Sequence, residues 1–182
     1  MPSTTSTDIL DFWFKEITPE QWWKSDPEFD RTIASRFLPV LHRAALGELF
    51  AWRESAQGRL AEIIVLDQFS RNVWRGTAQA FAQDAMSLAL SQEAVRADAL
   101  AKLQADERAF LLMPWMHSES PLIHAEAEGL FREHTPANNY DFELKHKVII
   151  DRFGRYPHRN QILGRISTSE ELAFLEQPGS SF

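Results

Sequence analysis

The chain has 182 residues, of which 44% are hydrophobic and 25% are charged, a composition typical of one globular domain with a sizeable core. Its formal net charge of −7 argues against non-specific binding to nucleic acid or to anionic membranes, because both depend on basic groups. The absence of cysteine excludes disulfides, thiolate nucleophiles and zinc sites with cysteine ligands. We therefore expect a single domain over residues 1–182.

Helical spacing and capping signals recur along the whole chain, and no segment shows the sustained alternation of apolar and polar residues that is typical of a strand. The signals for helix starts are Thr7, Thr18-Pro19, Asp26-Pro27, Ser55, Thr77, Asp106, Ser120-Pro121 and the capping box that begins at Ser167-Thr168. The apolar stripe of the third helix comprises Phe29, Ile33, Phe37, Val40, Leu41 and Ala44. The sequence therefore predicts an all-α fold.

Proline and glycine positions predict where these helices bend or end. Pro39 is expected to kink or end its helix, and Pro114 is expected to disturb the helix that contains it. A helix from about Ser55 is expected to end near Gly76, and Gly154 is expected to close another. No regular repeat of about 34 residues is visible. The expected architecture is a compact stack of antiparallel helices, a degenerate tetratricopeptide-like superhelix or bundle.

The first polar segment of interest directly follows the most apolar run of the chain and contains Asp67, Gln68, Arg71 and Asn72. The helix that carries these side chains is expected to be largely buried, so they need partners. Asp67 and Arg71 are four residues apart and can pair on one face of a helix. Two interpretations remain open, namely an ion pair at the end of the helix and the wall of a pocket.

The second polar segment follows Pro114 and contains His117 and Glu119. A proline break lets side chains leave the helical register and point into a cleft. His117 is then a candidate proton carrier, because imidazole titrates near neutral pH. Alternatively, His117 bonds to a backbone carbonyl while Ser118 or Ser120 caps the next helix.

The third segment is a corner rich in hydrogen-bond donors, formed around Gly154 and Pro157. Gly154 would end one helix and Pro157 would begin the next, which places the donors beside a helix N-terminus, a site that attracts anions. Guanidinium groups pair with carboxylate and phosphate, and His158 could transfer a proton. Alternatively, these residues form a structural network with acidic side chains. The donors are Arg152, Arg155, His158, Arg159, Asn160 and Arg165.

Other chemistries lack a sequence signal. The chain has no G-x-S-x-G elbow, no phosphate-binding P-loop, no G-x-G-x-x-G after a strand and no H-E-x-x-H pair. Candidate metal ligands are scattered at His117, Glu119, His146 and His158, so we predict no metal site. Three further histidines have polar or charged neighbours and are expected at the surface: His42, His124 and His134.

Taken together, the motifs resemble the bacterial family called domain of unknown function 924, which has a tetratricopeptide-like all-α fold. The matching segments are residues 11–14, 66–69, 71–72, 75–77, 114, 117–119, 152–160, 162–165, 167–168 and 178–182. Ser70 stands where the family pattern usually has proline, which affects only a local helix break. The resemblance implies the fold and no activity. It also implies that the three polar segments converge in space.

These observations lead to two functional hypotheses. The first is a binding protein for a small anionic molecule that carries a carboxylate or phosphate, or a cofactor-independent enzyme with His117 and His158 as catalytic candidates. The second is a protein-interaction module whose concave face binds a basic partner segment, while the polar residues are structural. The ligand-binding candidates are Asp67, Gln68, Arg71, Asn72, Glu119, Arg152, Arg155, Arg159, Asn160 and Arg165.

Some expectations concern the setting of the protein. Its first seven residues do not resemble a signal peptide, and no apolar stretch approaches the roughly 20 residues that cross a bilayer, so a cytoplasmic location is expected. We expect neither a nucleic-acid nor a membrane partner. A monomer and a homodimer both remain open. Phe182 could pack against the domain or serve as a recognition tag.

Overall fold

The regular elements of the protein are helical throughout residues 4–181, which are the residues that the computed structural model describes. The α-helices are Ser6–Asp11 (α1), Pro19–Trp23 (α2), Pro27–Ala45 (α3), Ala56–Ile64 (α4), Ser70–Val73 (α5), Asp84–Arg96 (α6), Ala105–Met116 (α7), Pro121–His134 (α8), Ala137–Phe153 (α9) and Ser169–Leu175 (α10). Phe12–Glu16 and Val65–Phe69 form π-helical turns. Short 3₁₀ turns cover Phe50–Glu54, Ala78–Phe81, Leu100–Lys102 and Pro157–Arg159. The all-α prediction is confirmed, and the prediction for Phe182 lies outside the described residues.

The central helical segment begins where the sequence predicted. The Ser55 hydroxyl caps α4 by accepting a hydrogen bond from the Gly58 amide at 3.0 Å. A Cβ atom at Gly58 would lie 1.9 Å from the Trp52 carbonyl oxygen, so only glycine fits there. The segment continues through the π-helical turn Val65–Phe69 into α5, which ends at Val73. This π-helical turn, which the sequence did not predict, carries the first polar segment.

The two internal prolines do not end their helices. α3 runs from Pro27 to Ala45 through Pro39, and α7 runs from Ala105 to Met116 through Pro114. A proline removes one backbone hydrogen bond, a loss that packing on both sides can offset. α3 buries Phe37 and Val40 close to Pro39, and α7 buries Met113 and Trp115 on either side of Pro114. These apolar contacts maintain both helices through the missing bond.

The hydrophobic core is dominated by aromatic side chains. Trp13 and Phe69 have ring centroids 5.7 Å apart, and Phe12 and Phe37 have centroids 4.8 Å apart. All four of these side chains are buried. The apolar stripe that the sequence predicted on α3 is also buried along its length. Burying each large apolar side chain stabilises the fold by roughly 1.5–3 kcal/mol, so this cluster holds the π-helical turn Phe12–Glu16, α3 and the central segment together.

The C-terminal part of the chain turns back towards the end of α7. α7 packs against α8, and α8 packs against α9. Gly154 ends α9 with a left-handed φ of +68°, and its amide donates to the Ile150 carbonyl at 2.8 Å. The chain beyond this turn then lies beside the 117–120 segment that links α7 to α8. No helix within residues 4–181 is long and apolar enough to cross a membrane.

Candidate functional site

A buried carboxylate, Asp67, joins two of the three polar segments. Its side chain is 1% exposed and lies on the π-helical turn. Its Oδ1 atom lies 2.8 Å from Nδ1 of His117 and 3.0 Å from Nη1 of Arg71. Its Oδ2 atom accepts a hydrogen bond from the side-chain amide of Gln68 at 2.6 Å. Asp67 therefore fixes the orientation of both the imidazole and the guanidinium.

The charges around Asp67 determine the protonation states of the pair. Burial acts to raise the pKa of Asp67, but the charge of Arg71 and the hydrogen bonds from His117 and Gln68 outweigh this effect and lower it well below its usual range. Burial and the Arg71 charge lower the pKa of His117, although Asp67 opposes them. At neutral pH the site therefore holds a carboxylate and a neutral imidazole. Because a carboxylate only accepts hydrogen bonds, the neutral His117 carries its hydrogen on Nδ1 and donates it to Asp67.

A second carboxylate, Asp84 at the start of α6, links the two arginines of the cluster. Arg71 binds Asp84 through both ends of its guanidinium, at 2.8 and 3.0 Å. Nη1 of Arg159 donates to the Oδ2 atom of the same carboxylate at 3.2 Å. Arg71 also donates to the Asp67 carbonyl at 3.0 Å. Asp84 thus brings the third polar segment to the first two.

Arg159 is buried with few acceptors around it. Its residue surface is 6% exposed, and its guanidinium lies 4.6 Å from the ring centroid of Phe81 and 4.7 Å from that of Tyr156. Within residues 4–181, its Nε atom is buried and has no hydrogen-bond partner. Burial and the nearby charge of Arg71 lower the pKa of Arg159. The contact with Asp84 therefore leaves most of its hydrogen-bonding capacity unused.

Glu119 anchors the corner after α9 to the end of α7. It accepts two hydrogen bonds from Arg165, at 2.6 and 2.9 Å, and one from the Tyr156 amide at 2.7 Å. Burial acts to raise the pKa of Glu119, but the hydrogen bonds from Arg165 and from the Tyr156 amide lower it overall. Nε of Arg165 also donates to Asn160 at 2.9 Å, and Asn160 donates to Ser167 at 3.0 Å. These contacts connect the corner after α9 to the end of α7, and they occupy the hydrogen-bonding groups of Glu119 and Asn160 with protein partners.

Other candidates from the sequence lie outside the cluster. Arg152 pairs with Glu170, and Arg155 pairs with Glu171 at 2.6 and 2.8 Å, so these two arginines connect to α10. Asn72 donates to Asp30 on α3 at 2.8 Å. The cluster itself combines Asp67, Gln68, Arg71, His117 and Arg159.

His158 lies against the ring of Tyr156, at 5.5 Å between centroids. Burial and the Arg159 charge lower the pKa of His158 to about 4. It is therefore neutral at physiological pH. The short Pro157–Arg159 turn, and not the longer helix that the corner suggested, contains His158 and Arg159.

Several residues of this region were not predicted from the sequence. Asp84 is the first residue of α6 and belongs to no sequence motif that indicates a site. Tyr156 lies within the arginine-rich corner, but the sequence assigns it no role of its own. His124 was expected at the surface, and this prediction was wrong because its side chain is 0% exposed and pairs with the buried Glu143. Its position on the inner face of α8, in register with Ala127 and Phe131, is the signal that could have indicated burial.

Two surface depressions lie away from the cluster. One of about 340 Å³ is lined by residues of the π-helical turn Phe12–Glu16, of α2 and α3, and of the segments between them, including Glu16 and Arg36. Another of about 270 Å³ is lined by Trp22, Trp23 and Asn138, among others. Within residues 4–181, no group of three or more acidic or histidine side chains is placed to hold a metal ion.

Comparison with known proteins agrees with the motifs. A family model described as "Bacterial protein of unknown function (DUF924)" matches residues 9–179. The chain belongs to this family. This DUF924 member is also similar to a solved structure, the protein of unknown function ATU0120 from Agrobacterium tumefaciens. The two share 37% sequence identity over 94% of this chain and 96% of the other, with a TM-score of 0.89. A search of curated proteins gave no match.

Proposed function

We propose that the protein binds a small anionic molecule, carrying a carboxylate or a phosphate, at the cluster of Arg71, His117 and Arg159. The observation that supports this proposal best is the unsatisfied guanidinium of Arg159. Its side chain is 7% exposed, and its one hydrogen bond within the described residues is the 3.2 Å contact with Asp84. Buried guanidinium groups normally bind several acceptors, because an unmade hydrogen bond of a charged group is costly. An anion would supply the missing acceptors.

His117 would provide acid–base chemistry in this proposal. Asp67 holds Nδ1, and this is the side-chain hydrogen bond that His117 makes within residues 4–181. A neutral imidazole whose Nδ1 proton is fixed by a carboxylate presents Nε2 as a proton acceptor. After accepting a proton, the imidazolium would add a positive charge beside the anion. Binding, or a proton transfer to or from the bound molecule, can use this group without any cofactor.

The charge balance of the cluster also favours an anion of low charge. Arg71 and Arg159 are balanced by Asp67 and Asp84, so the four groups together carry no net charge. A bound monoanion would leave one negative charge, which a protonated His117 would neutralise. Buried ion networks of this kind contribute little to net stability, because removing the charges from water is costly. Such networks often occur at functional sites, so this one supports the proposal of a ligand site.

A second candidate function is protein binding, supported by a different observation. Several large apolar side chains are exposed, among them Ile166 at 90%, Leu122 at 72% and Val148 at 66%. In this alternative, the paired arginines of the C-terminal corner only connect helices. A tetratricopeptide-like arrangement and a cytoplasmic location belong to the same proposal and are still predictions.

The first experiment compares the native and denatured masses of the purified protein, followed by calorimetric titration with inorganic phosphate and with acetate. We expect either an excess native mass of a bound molecule or measurable anion binding. Arg159→Met should weaken binding at least about tenfold, which is the loss of roughly 1.4 kcal/mol. The control Arg152→Met removes an exposed arginine paired with Glu170 and should leave binding unchanged.

Two results would contradict the proposal. One is an unaltered mass together with no binding of either anion up to roughly 10 mM, a range that would detect even a weak site. The other is an equal loss of binding in the Arg159 and Arg152 variants, because such a result would indicate a general effect of positive charge.

A further inference from the structure

A second buried pair, His124 of α8 and Glu143 of α9, lies directly behind the turn that carries His117. Both side chains are 0% exposed. Nδ1 of His124 lies 2.7 Å from Oε1 of Glu143, and Nε2 lies 2.9 Å from the Ser118 carbonyl oxygen. The other carboxyl oxygen of Glu143, Oε2, is buried and has no hydrogen-bond partner within residues 4–181. Neither residue of this pair belongs to the proposed anion site.

The contacts fix the number of protons on the pair. Nε2 faces the Ser118 carbonyl, which only accepts, so Nε2 carries a hydrogen. The Tyr156 hydroxyl, 3.3 Å from Nε2, already donates to the Met116 carbonyl at 2.5 Å and cannot donate to the ring as well. A proton must also lie between Nδ1 and Oε1, because two lone pairs would repel at 2.7 Å. The pair therefore holds one proton more than a neutral imidazole and a carboxylate, and it is neutral overall.

The same contacts control the backbone on both sides of His117. His124 donates to the carbonyl of Ser118, and Tyr156 donates to the carbonyl of Met116. His117 lies between these two residues, and its imidazole must meet Asp67 at 2.8 Å. A backbone shift of about 1 Å would be enough to break that hydrogen bond.

We propose that the His124–Glu143 pair positions His117 against Asp67, and that it does so only while the pair retains its shared proton. His124 and Glu143 are positioning residues in this proposal. The inference rests on the proposed function in one respect, namely the role of His117 as the acid–base group beside the anion. Loss of the proton would leave an uncompensated negative charge in the core and would break one of the two hydrogen bonds of His124.

The surroundings of the pair are consistent with a retained proton. Burial raises the pKa of Glu143, and the hydrogen bond from His124 opposes this effect only in part. Lys147 on α9 favours the carboxylate, whereas Glu128 on α8 disfavours it. His146, also on α9, is neutral because burial lowers its pKa to about 3. Burial raises the pKa of Tyr156, so this neighbour stays a neutral donor to the Met116 carbonyl.

The sign of the pH effect follows from the proton count. The folded pair keeps a proton that the unfolded chain releases as the pH rises through the range of a free imidazole, about 6.5. A folded state that binds more protons loses stability with rising pH. The contribution of the pair to stability should therefore be greatest between about pH 4.5 and pH 6.5, because the unfolded chain binds one proton more below this range and one proton fewer above it. The placement of His117 should be lost in one step at higher pH, where the folded pair loses its shared proton.

The test is nitrogen-15 NMR of the histidine side chains in the full-length protein without ligand, between about pH 6 and pH 9. We expect a protonated Nε2 on His124, and a step at high pH in which the signals of His124 and His117 change together. Glu143→Gln should abolish this step and keep the His117 signals, because its amide can donate to Nδ1 of a neutral imidazole. Glu143→Leu should displace the His117 signals at every pH and lower Tm by about 5–10 °C.

The control is Glu126→Gln, on the exposed side of α8, which should reproduce the wild-type titration. The proposal is overturned if Nε2 of His124 is unprotonated, or if His117 shows the same high-pH step in the Glu143→Gln variant. If Glu143→Leu does not fold, the Glu143→Gln variant still decides. Because the experiment needs no ligand, it separates failure of this inference from failure of anion binding.

Discussion

Replacing Asp67 with asparagine should destabilise the protein by about 3 kcal/mol, which is the lower end of the cost of breaking a buried charge pair. The change keeps the shape of the side chain and removes its charge. Arg71 would lose one of its two carboxylate partners, and His117 would lose its charged acceptor. The expected cost lies at the lower end because Arg71 keeps its two hydrogen bonds to Asp84.

Urea denaturation followed by tryptophan fluorescence measures this change. With an m-value of about 2 kcal/mol/M, the midpoint should fall by about 1.5 M, and Tm should fall by about 6–12 °C. The control is Asp151→Asn, because Asp151 and Lys147 form a pair with the same four-residue spacing at the surface. This control should change stability by at most about 0.5 kcal/mol.

The same variant reports on the electrostatics of His117. Because Asp67 acts to raise the pKa of His117, its neutralisation should lower that pKa further, as measured by NMR titration of the imidazole. The reasoning would be refuted if Asp67→Asn and Asp151→Asn had equal effects on stability. It would also be refuted if the pKa of His117 rose, because Asp67 would then not be its charged partner.

Two further predictions concern the C-terminal corner. Gly154→Ala should cost about 1–2 kcal/mol of unfolding free energy, measured by urea denaturation, because Gly154 has a left-handed φ of +68°. The control is Gly129→Ala inside α8, which should be neutral or stabilising, because no atom lies within 4 Å of the added Cβ and alanine favours a helix. The folded pKa of Glu119 is below its usual value of 4.5, so its contribution to stability is present above pH 4.5 and is lost as the pH falls through the folded pKa. Glu119→Gln should therefore reduce the loss of stability between about pH 5 and pH 2, and an unchanged slope would show that Arg165 does not depend on this carboxylate.

The extent of the cluster could be predicted only in part. The residue types of Asp67, Arg71, His117 and Arg159 suit anion and proton chemistry and therefore mark them in the sequence, and the structure brings these four together. Asp84 was missed because it stands in an ordinary helix start, and only the packing of α6 places it between two arginines. The surface prediction for His124 is wrong because polar or charged neighbours in the sequence do not reveal that its own side chain faces α9.

The sequence by itself determined the helices. The caps at Ser55 and Thr168, the glycine after α9 and the apolar stripe of α3 act over a few residues, so their physical effect can be read without the fold. Tertiary structure alone decided which charged groups are partners. Arg152 and Arg155 look equivalent to Arg159 in the sequence, yet they pair with α10 while Arg159 is buried against Phe81. The reason is that charge pairing depends on distance and burial across helices that are far apart in the chain, which local sequence patterns do not encode.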